Sequence, residues 1–271
     1  MAFIERNKNG VLFHESDLLT GCSGILHAFT TRIGGVSEGI YDSLNLRLAS
    51  DDDPSRIREN YSILARAVGF PVERLVLPDQ QHTCTVRAVD ARDAGKGLSR
   101  PRDYEAVDAL VTNTPSLPII TFSADCGIAV FYDPTARCIG VAHGGWRGTA
   151  GGIMARTVET MCSLYGADPE TIRVAIGACI DKCCFETDDD VAIAMRDALG
   201  DAAAQFCTRS GKKWHIDLKG INRHHLLQSG VRAENIDISP LCTACNTDLY
   251  WSHRLLGERR GAQAGIIMLL E

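Results

Sequence analysis

The sequence predicts an α+β fold: a single domain, residues 1–271, with mixed β-sheets flanked by helices. Three observations carry this reading. Six short runs rich in β-branched and apolar residues have the look of strands. Four longer runs place apolar residues at helical spacing. The two kinds follow one another without strict alternation, which disfavours a doubly wound sheet. No repeat, linker or break in composition divides the 271 residues, a length that one large domain fills with a core.

The elements follow in order. ILHAFTT (25–31) and TCTVRAV (83–89) are the first predicted strands. Between them, SRIRENYSILARAVGF (55–70) puts Ile57, Tyr61, Leu64 and Val68 on one helical face, with Ser55 as the expected N-cap and Gly69 as the stop. Four strands come next: VDALVT (107–112), PIITFS (118–123), IAVFY (128–132) and CIGVA (138–142). Three helices complete the pattern. They are GGIMARTVETMCSLYG (151–166), DDDVAIAMRDAL (188–199), whose leading acids suit a helix N-terminus, and IDLKGINRHHLLQSGV (216–231).

Composition narrows the function. Apolar residues make up 45% and charged residues 23%, the ordinary balance of a soluble protein. The net charge is −6 and no long basic run occurs, which argues against nucleic acid or an anionic membrane as partner. MAFIERNKNG lacks the apolar core of a signal peptide, and no stretch reaches the length of a membrane span. A cytoplasmic location is the expectation. Eleven cysteines, an odd number, then read as thiols or metal ligands rather than a disulfide framework. Several, such as Cys138, read as small buried apolar groups.

Three segments put a metal-capable side chain beside turn chemistry. DQQHTCTV carries His82, TFSADCGIAV carries Asp125 and Cys126, and VAHGGWRGTAGGI carries His143 at a strand end among five glycines. Two imidazoles and a thiolate suit zinc and leave one tetrahedral position open, the pattern of a catalytic site. Spacing alone leaves the plainer reading open: hydrogen-bonded histidines and a buried thiol. The glycines admit backbone N–H groups to an anion, and a helix starting near Gly151 would point its positive end there. Arg147 would add a forked donor. Elsewhere, Cys179, Cys183 and Cys184 form one group and Cys242-x-x-Cys245 another. Together they would make a four-thiolate site if the fold joined them. His224 and His225, adjacent on a predicted helix, point about 100° apart and do not suit one metal.

HAFTTRIGGVSEGIYDSLNL, DQQHTCTV, TFSADCGIAVFYD, GVAHGGWRGTAGGI, IGACIDKCCFET and LCTACNTDLYWSHR, in this order, resemble the motif series of the YfiH family. Its members have been described as laccase-domain proteins, multicopper polyphenol oxidases and purine nucleoside phosphorylases. The resemblance runs from about His27 to Arg254. It implies one zinc held by His82, Cys126 and His143. It also implies phosphorolysis of adenosine, inosine, guanosine or methylthioadenosine to base and pentose 1-phosphate, together with adenosine deamination. A part in peptidoglycan editing is implied for some bacterial members. Three places depart from the pattern: Gly144 follows the histidine where alanine is common, Ala178 replaces proline, and His253 replaces tyrosine.

Neighbouring residues take roles from these expectations. Arg147 and Arg254 are candidate phosphate binders, and Asn45 in DSLNL is a candidate substrate contact. Asp125 is a candidate either to orient an imidazole or to handle a proton in catalysis. Zinc would activate water for deamination. PLCTAC (240–245) matches half of a deaminase signature, whose His-x-Glu is missing. Other readings stay open: a copper-dependent polyphenol oxidase using the same ligands, a metal-free cysteine hydrolase with Cys126 as nucleophile and His143 as base, and a metal-binding interaction protein. A laccase needs many histidines, and this chain has eight with no His-x-His. The oligomeric state is left unspecified.

Overall fold

Several central strands are apolar on both faces, and the architecture covers both. The structure, a computed structural model, describes residues 3–271. Met1 and Ala2, which open MAFIERNKNG and the 1–271 domain, lie outside the described residues. The chain starts with a hairpin of β1 (Phe3–Lys8) and β2 (Val11–Ser16), a single turn α1 (Asp17–Thr20) and β3 (Ile25–Thr30). Helix α2 (Pro54–Val68) precedes β4 (Val86–Ala88), β5 (Ala109–Thr112), β6 (Ile119–Ser123), β7 (Gly127–Asp133) and β8 (Cys138–Gly144). Then come α3 (Trp146–Ala150), α4 (Ile153–Tyr165), β9 (Arg173–Ile176), β10 (Glu186–Thr187) and α5 (Asp189–Leu199). The remainder is β11 (Cys207–Ser210), β12 (Lys213–Ile216), α6 (Leu218–Gln228), β13 (Ile236–Ile238), α7 (His253–Leu256) and β14 (Gln263–Leu269).

The strands form an antiparallel sheet in the order β1-β2-β3-β14-β6 and a mixed sheet in the order β13-β9-β7-β8-β5-β4; β10-β12-β11 make a small third sheet. In the mixed sheet only the outer pairs, β13 with β9 and β4 with β5, are parallel. The fold class expected from sequence, mixed sheets with flanking helices, is what the chain adopts.

The period of two along each strand sorts its side chains into layers. On β14, Ala264, Ile266 and Met268 meet Ile57, Tyr61 and Leu64 of α2. The alternate residues Ile267 and Leu269 meet Ile128, Val130, Ile139 and Val141 of the mixed sheet. The far face of that sheet, with Ala129, Phe131 and Ala142, packs on Ile153, Met154, Val158 and Met161 of α4 and on Leu226 of α6. The result is a helix, sheet, sheet, helix stack. Among the described residues, no helix is long and apolar enough to cross a membrane.

Two local expectations are corrected and a third is extended. The N-cap of α2 is Asp53, not Ser55: its carboxylate accepts the Ser55 N–H at 2.8 Å, and Pro54 occupies the first helical position with its φ preset. The helix ends at Gly69 as expected, in the left-handed region at φ 100. The strand expected over 83–89 shrinks to Val86–Ala88, because the N–H groups of Gln81, His82 and Thr83 donate to the Asp108 carboxylate instead of a ladder. The helix expected over 151–166 forms as α4, and an additional short helix, α3, precedes it. Gly151 closes α3, and Gly152, at φ 73, opens α4.

Candidate metal centre and the cavities beside it

Antiparallel pairing of β7 with β8 sets Gly127 opposite Gly144 and Ile128 opposite His143. Cys126, one residue before β7, therefore arrives beside His143, near the end of β8. His82 comes from the loop before β4. The ligand atoms of His82, Cys126 and His143 all lie within 4.8 Å of one another. His82 Nε2 is 3.8 Å from Cys126 Sγ, and the two imidazole rings meet edge to face with centroids 4.9 Å apart. His143 is buried, Cys126 half-buried and His82 exposed. The three residues that the sequence separates by up to 61 positions thus form one cluster with an accessible side.

One carboxylate organises the cluster. Asp108, fully buried just before β5, accepts from His143 Nδ1 at 2.8 Å, so Nε2 is the nitrogen left to face Cys126. The same carboxylate takes the backbone N–H groups of Gln81, His82 and Thr83 and the Thr83 hydroxyl. His82 is held at φ 61, in the left-handed region, by this loop. Burial would raise the Asp108 carboxyl, but His143 and the Thr83 hydrogen bonds outweigh it and bring it down to about 2. Burial likewise pushes the Cys126 thiol up. The charge of His143 and hydrogen bonds from both imidazoles overcome that and lower it to about 6. His143 responds in the opposite sense: burial lowers it, while the Cys126 thiolate and Asp108 raise it to about 9. A thiolate beside two imidazoles is a donor set suited to zinc.

Glycine at 145 is explained by this cluster. A Cβ there would overlap the His82 ring and lie 3.1 Å from Cys126 Sγ. The anion site expected at the start of a helix near Gly151 needs correcting. It is α3 that starts beside the cluster, at Trp146, whereas the start of α4 lies against Cys84 and His225.

Two cavities meet at His82, Ala124 and Cys126 and share Arg47 and Arg260. The first, ≈ 320 Å³, is walled by apolar groups including Leu46, Tyr61, Leu77 and Phe122. The second, ≈ 410 Å³, gathers four arginines: Arg47, Arg147, Arg254 and Arg260. Arg147 lies over the Trp146 ring at 4.1 Å, and Arg254 donates to the Glu186 carbonyl at 2.8 Å. Burial, reinforced by the neighbouring Arg47 charge, holds the Arg260 guanidinium below its ordinary value, a strain that a bound anion would relieve. Arg147 and Arg254 both line this cavity, beside His82 and Cys126. Arg47 and Arg260 escaped the sequence reading, although Arg47 is only two residues beyond Asn45.

Two expected roles change. Asp125 neither orients an imidazole nor has an idle oxygen. Held at φ 86, it accepts from the Thr243 hydroxyl, the Ser252 hydroxyl and the Arg254 N–H, and so anchors the segment that carries Arg254. Asp108 orients His143 in its place. Asn45 is fully buried; its amide donates to Ser50 and Asp52, and its carbonyl accepts the Arg47 N–H. It shapes the loop that presents Arg47 and does not face a cavity. PLCTAC also stands apart: Cys242 and Cys245 gather with Cys183 and Cys184, not with His82.

Comparison with known proteins agrees with this architecture. Residues 26–270 match the family described as multi-copper polyphenol oxidoreductase laccase. A purine nucleoside phosphorylase of Deinococcus radiodurans is 40% identical over 233 residues, covering 86% of this chain and 85% of that protein. Adenosine deaminase RL5, from an unknown prokaryotic organism, is 36% identical over 241 residues, covering 87% of this chain and 91% of the relative. The crystal structure of YlmD from Geobacillus stearothermophilus superposes with a TM-score of 0.91 at 33% identity, covering 100% of both chains. With its motifs in order, its site assembled and nearly its full length matched, the chain belongs to the multi-copper polyphenol oxidoreductase laccase family, the YfiH family.

Proposed function

We propose that the protein is a zinc-dependent purine nucleoside phosphorylase. The observation that carries the reading is the meeting, at the His82–Cys126 edge, of a cavity with apolar side chains at Leu46, Tyr61, Leu77 and Phe122 and a second cavity lined by Arg47, Arg147, Arg254 and Arg260, with Arg47 and Arg260 common to both. Phosphorolysis needs this pairing, because a purine nucleoside and a phosphate must meet at C1′ of the sugar. The names of relatives point the same way. A phosphate oxygen forms a bond to C1′, the C1′–N9 bond breaks, and the base leaves with the proton that the attacking hydrogen phosphate gives up, giving free purine and pentose 1-phosphate. The apolar walls at Tyr61 and Phe122 hold the base. Arg47, Arg147, Arg254 and Arg260 bind the phosphate and neutralise its charge. His82, Cys126 and His143 would hold the zinc, which would supply a Lewis acid beside both cavities. Asp108 holds His143 in the tautomer that leaves Nε2 free. Adenosine, inosine, guanosine and methylthioadenosine are the expected substrates, and the eleven thiols suit a cytoplasmic, reducing setting.

Adenosine deamination is a second activity of the same centre. It is favoured by a cluster that offers three ligands, with His82 exposed, and by the name of one relative. A laccase-type copper oxidase fits less well: among the described residues, the clusters suited to a metal contain two histidines, His82 and His143. A metal-free cysteine hydrolase would use the Cys126 and His143 pair as it stands. Metal analysis of protein purified without added metal separates these readings.

The direct test is conversion of inosine and phosphate to hypoxanthine and ribose 1-phosphate. Cys126→Ala is expected to lower the rate by about 100-fold or more, the scale of several kcal/mol of lost charge stabilisation. Arg147→Ala is expected to raise the KM for phosphate more than that for inosine. An unchanged rate in Cys126→Ala would sink the reading.

A further inference from the structure

The second cysteine cluster has no part in the reaction proposed above, and its geometry is that of a closed metal site. Cys183 and Cys184 lie in the loop between β9 and β10; Cys242 and Cys245 lie in the turn after β13. Sequence spacing separates these pairs by about sixty residues, and the fold joins them. The four sulfurs lie within 4.8 Å of one another. Three of the separations are 3.7 Å for Cys183–Cys184, 3.8 Å for Cys183–Cys245 and 3.4 Å for Cys184–Cys245. Four sulfurs bound tetrahedrally to zinc at about 2.3 Å lie about 3.8 Å from one another. A disulfide would need about 2.05 Å.

The backbone also orients one of the sulfurs. The Asp181 N–H donates to Cys242 Sγ at 3.3 Å, the type of contact that orients a metal-bound sulfur. Asn246 donates to the Cys242 carbonyl at 2.8 Å, and Thr243 N–H to the Cys179 carbonyl at 3.1 Å, so the two loops are already in register. Cys183 and Cys245 are exposed, which gives an ion a route in. Four soft donors and a tetrahedral spacing select zinc over hard cations.

We infer that Cys183, Cys184, Cys242 and Cys245 bind a structural zinc ion, separate from the cluster of His82, Cys126 and His143. Each thiol gives up its proton on binding, and the closed ligand set leaves no position for substrate. The ion staples a loop that walls the arginine cavity to a second loop that anchors one of its lining residues, Asp125. Ile180 and Phe185 line that cavity from the first loop. Thr243, in the second, donates to Asp125, which in turn holds the Arg254 N–H.

The test is zinc content by elemental mass spectrometry, on protein purified with reductant and no chelator. Wild type is expected to hold two zinc ions per chain, and the pair Cys183→Ser and Cys245→Ser one. If Cys126→Ala empties nothing but the serine pair loses one ion, this inference stands and the proposed catalytic zinc falls. Should wild type and the serine pair hold the same amount, or should iron replace zinc, the inference is overturned. Cobalt substitution of the wild type needs no variant. A four-thiolate site gives strong sulfur-to-cobalt charge-transfer bands that the serine pair loses, and their absence from the wild type counts against the site. A disulfide among the four cysteines, found by non-reducing peptide mass analysis, overturns it as well.

Discussion

Asp108 shows how much one buried carboxylate does at the residue scale. It sits in VDALVT, a lone charge in an apolar run, and takes hydrogen bonds from both segments that carry histidine ligands. In Asp108→Asn, half of that acceptor capacity becomes a donor, which favours the wrong tautomer of His143. We expect metal affinity to fall by about 10–100-fold, the usual scale for losing such a partner. Competition with a chromophoric chelator measures it, and a change under about threefold, small on that scale, would speak against the role. Much of this site was legible in the sequence. His82, Cys126 and His143 stood beside turn residues, and Arg147 and Arg254 lay in the motifs. Asp108 was not singled out, although a lone carboxylate inside an apolar strand was a usable signal. Asp125 was misread because adjacency in sequence to a ligand does not decide where a carboxylate points; at φ 86 it points at Thr243 and Ser252.

At the scale of elements, caps and pairing decide what periodicity alone leaves open. The amphipathic helices α2, α4, α5 and α6 were legible, since each buries one stripe. The hairpin β1–β2 was missed, even though Asn9-Gly10, both at positive φ, marks its turn. β9 and β14 were missed because apolar runs buried on both faces carry no alternation, and β13, Ile-Asp-Ile, is too short to establish one. β2 and β3 are further linked by His27, whose Nε2 accepts the Ser16 N–H at 2.9 Å. Burial is the main cause that lowers this imidazole to about 4, against an ordinary 6.5. The unfolded chain therefore takes up the proton first as pH falls. The contribution to stability is complete above pH 6.5 and is lost between there and about 4. Its size is on the order of 3 kcal/mol. His27→Gln keeps an acceptor for Ser16 and removes the titration. Its urea midpoint is expected to fall less than that of the wild type between pH 7 and pH 4.5, and parallel losses would refute the assignment.

At the scale of the whole molecule, the layer between the two sheets unites the chain. Ile267 of β14 is fully buried there among Ile128, Val130 and Val141 of the other sheet. Ile267→Ala is expected to cost about 2–5 kcal/mol. With one shared layer, loss of helix by circular dichroism and loss of tryptophan fluorescence should shift together in a single urea transition. Two separated transitions would show that the halves melt independently. The sequence showed one unbroken domain through its lack of linkers. It could not show the stacking of sheets, which depends on which strands pair across hundreds of residues.

β14 has a further consequence for how the protein is made. It lies between β3 and β6, and pairs with both. Both neighbours leave the ribosome long before it does. Until residues 263–269 emerge, each presents an open edge of unpaired backbone groups, a template for another nascent chain. The antiparallel sheet cannot close before residues 263–269 emerge, so chaperone dependence in the cell should grow with the delay between β6 and β14.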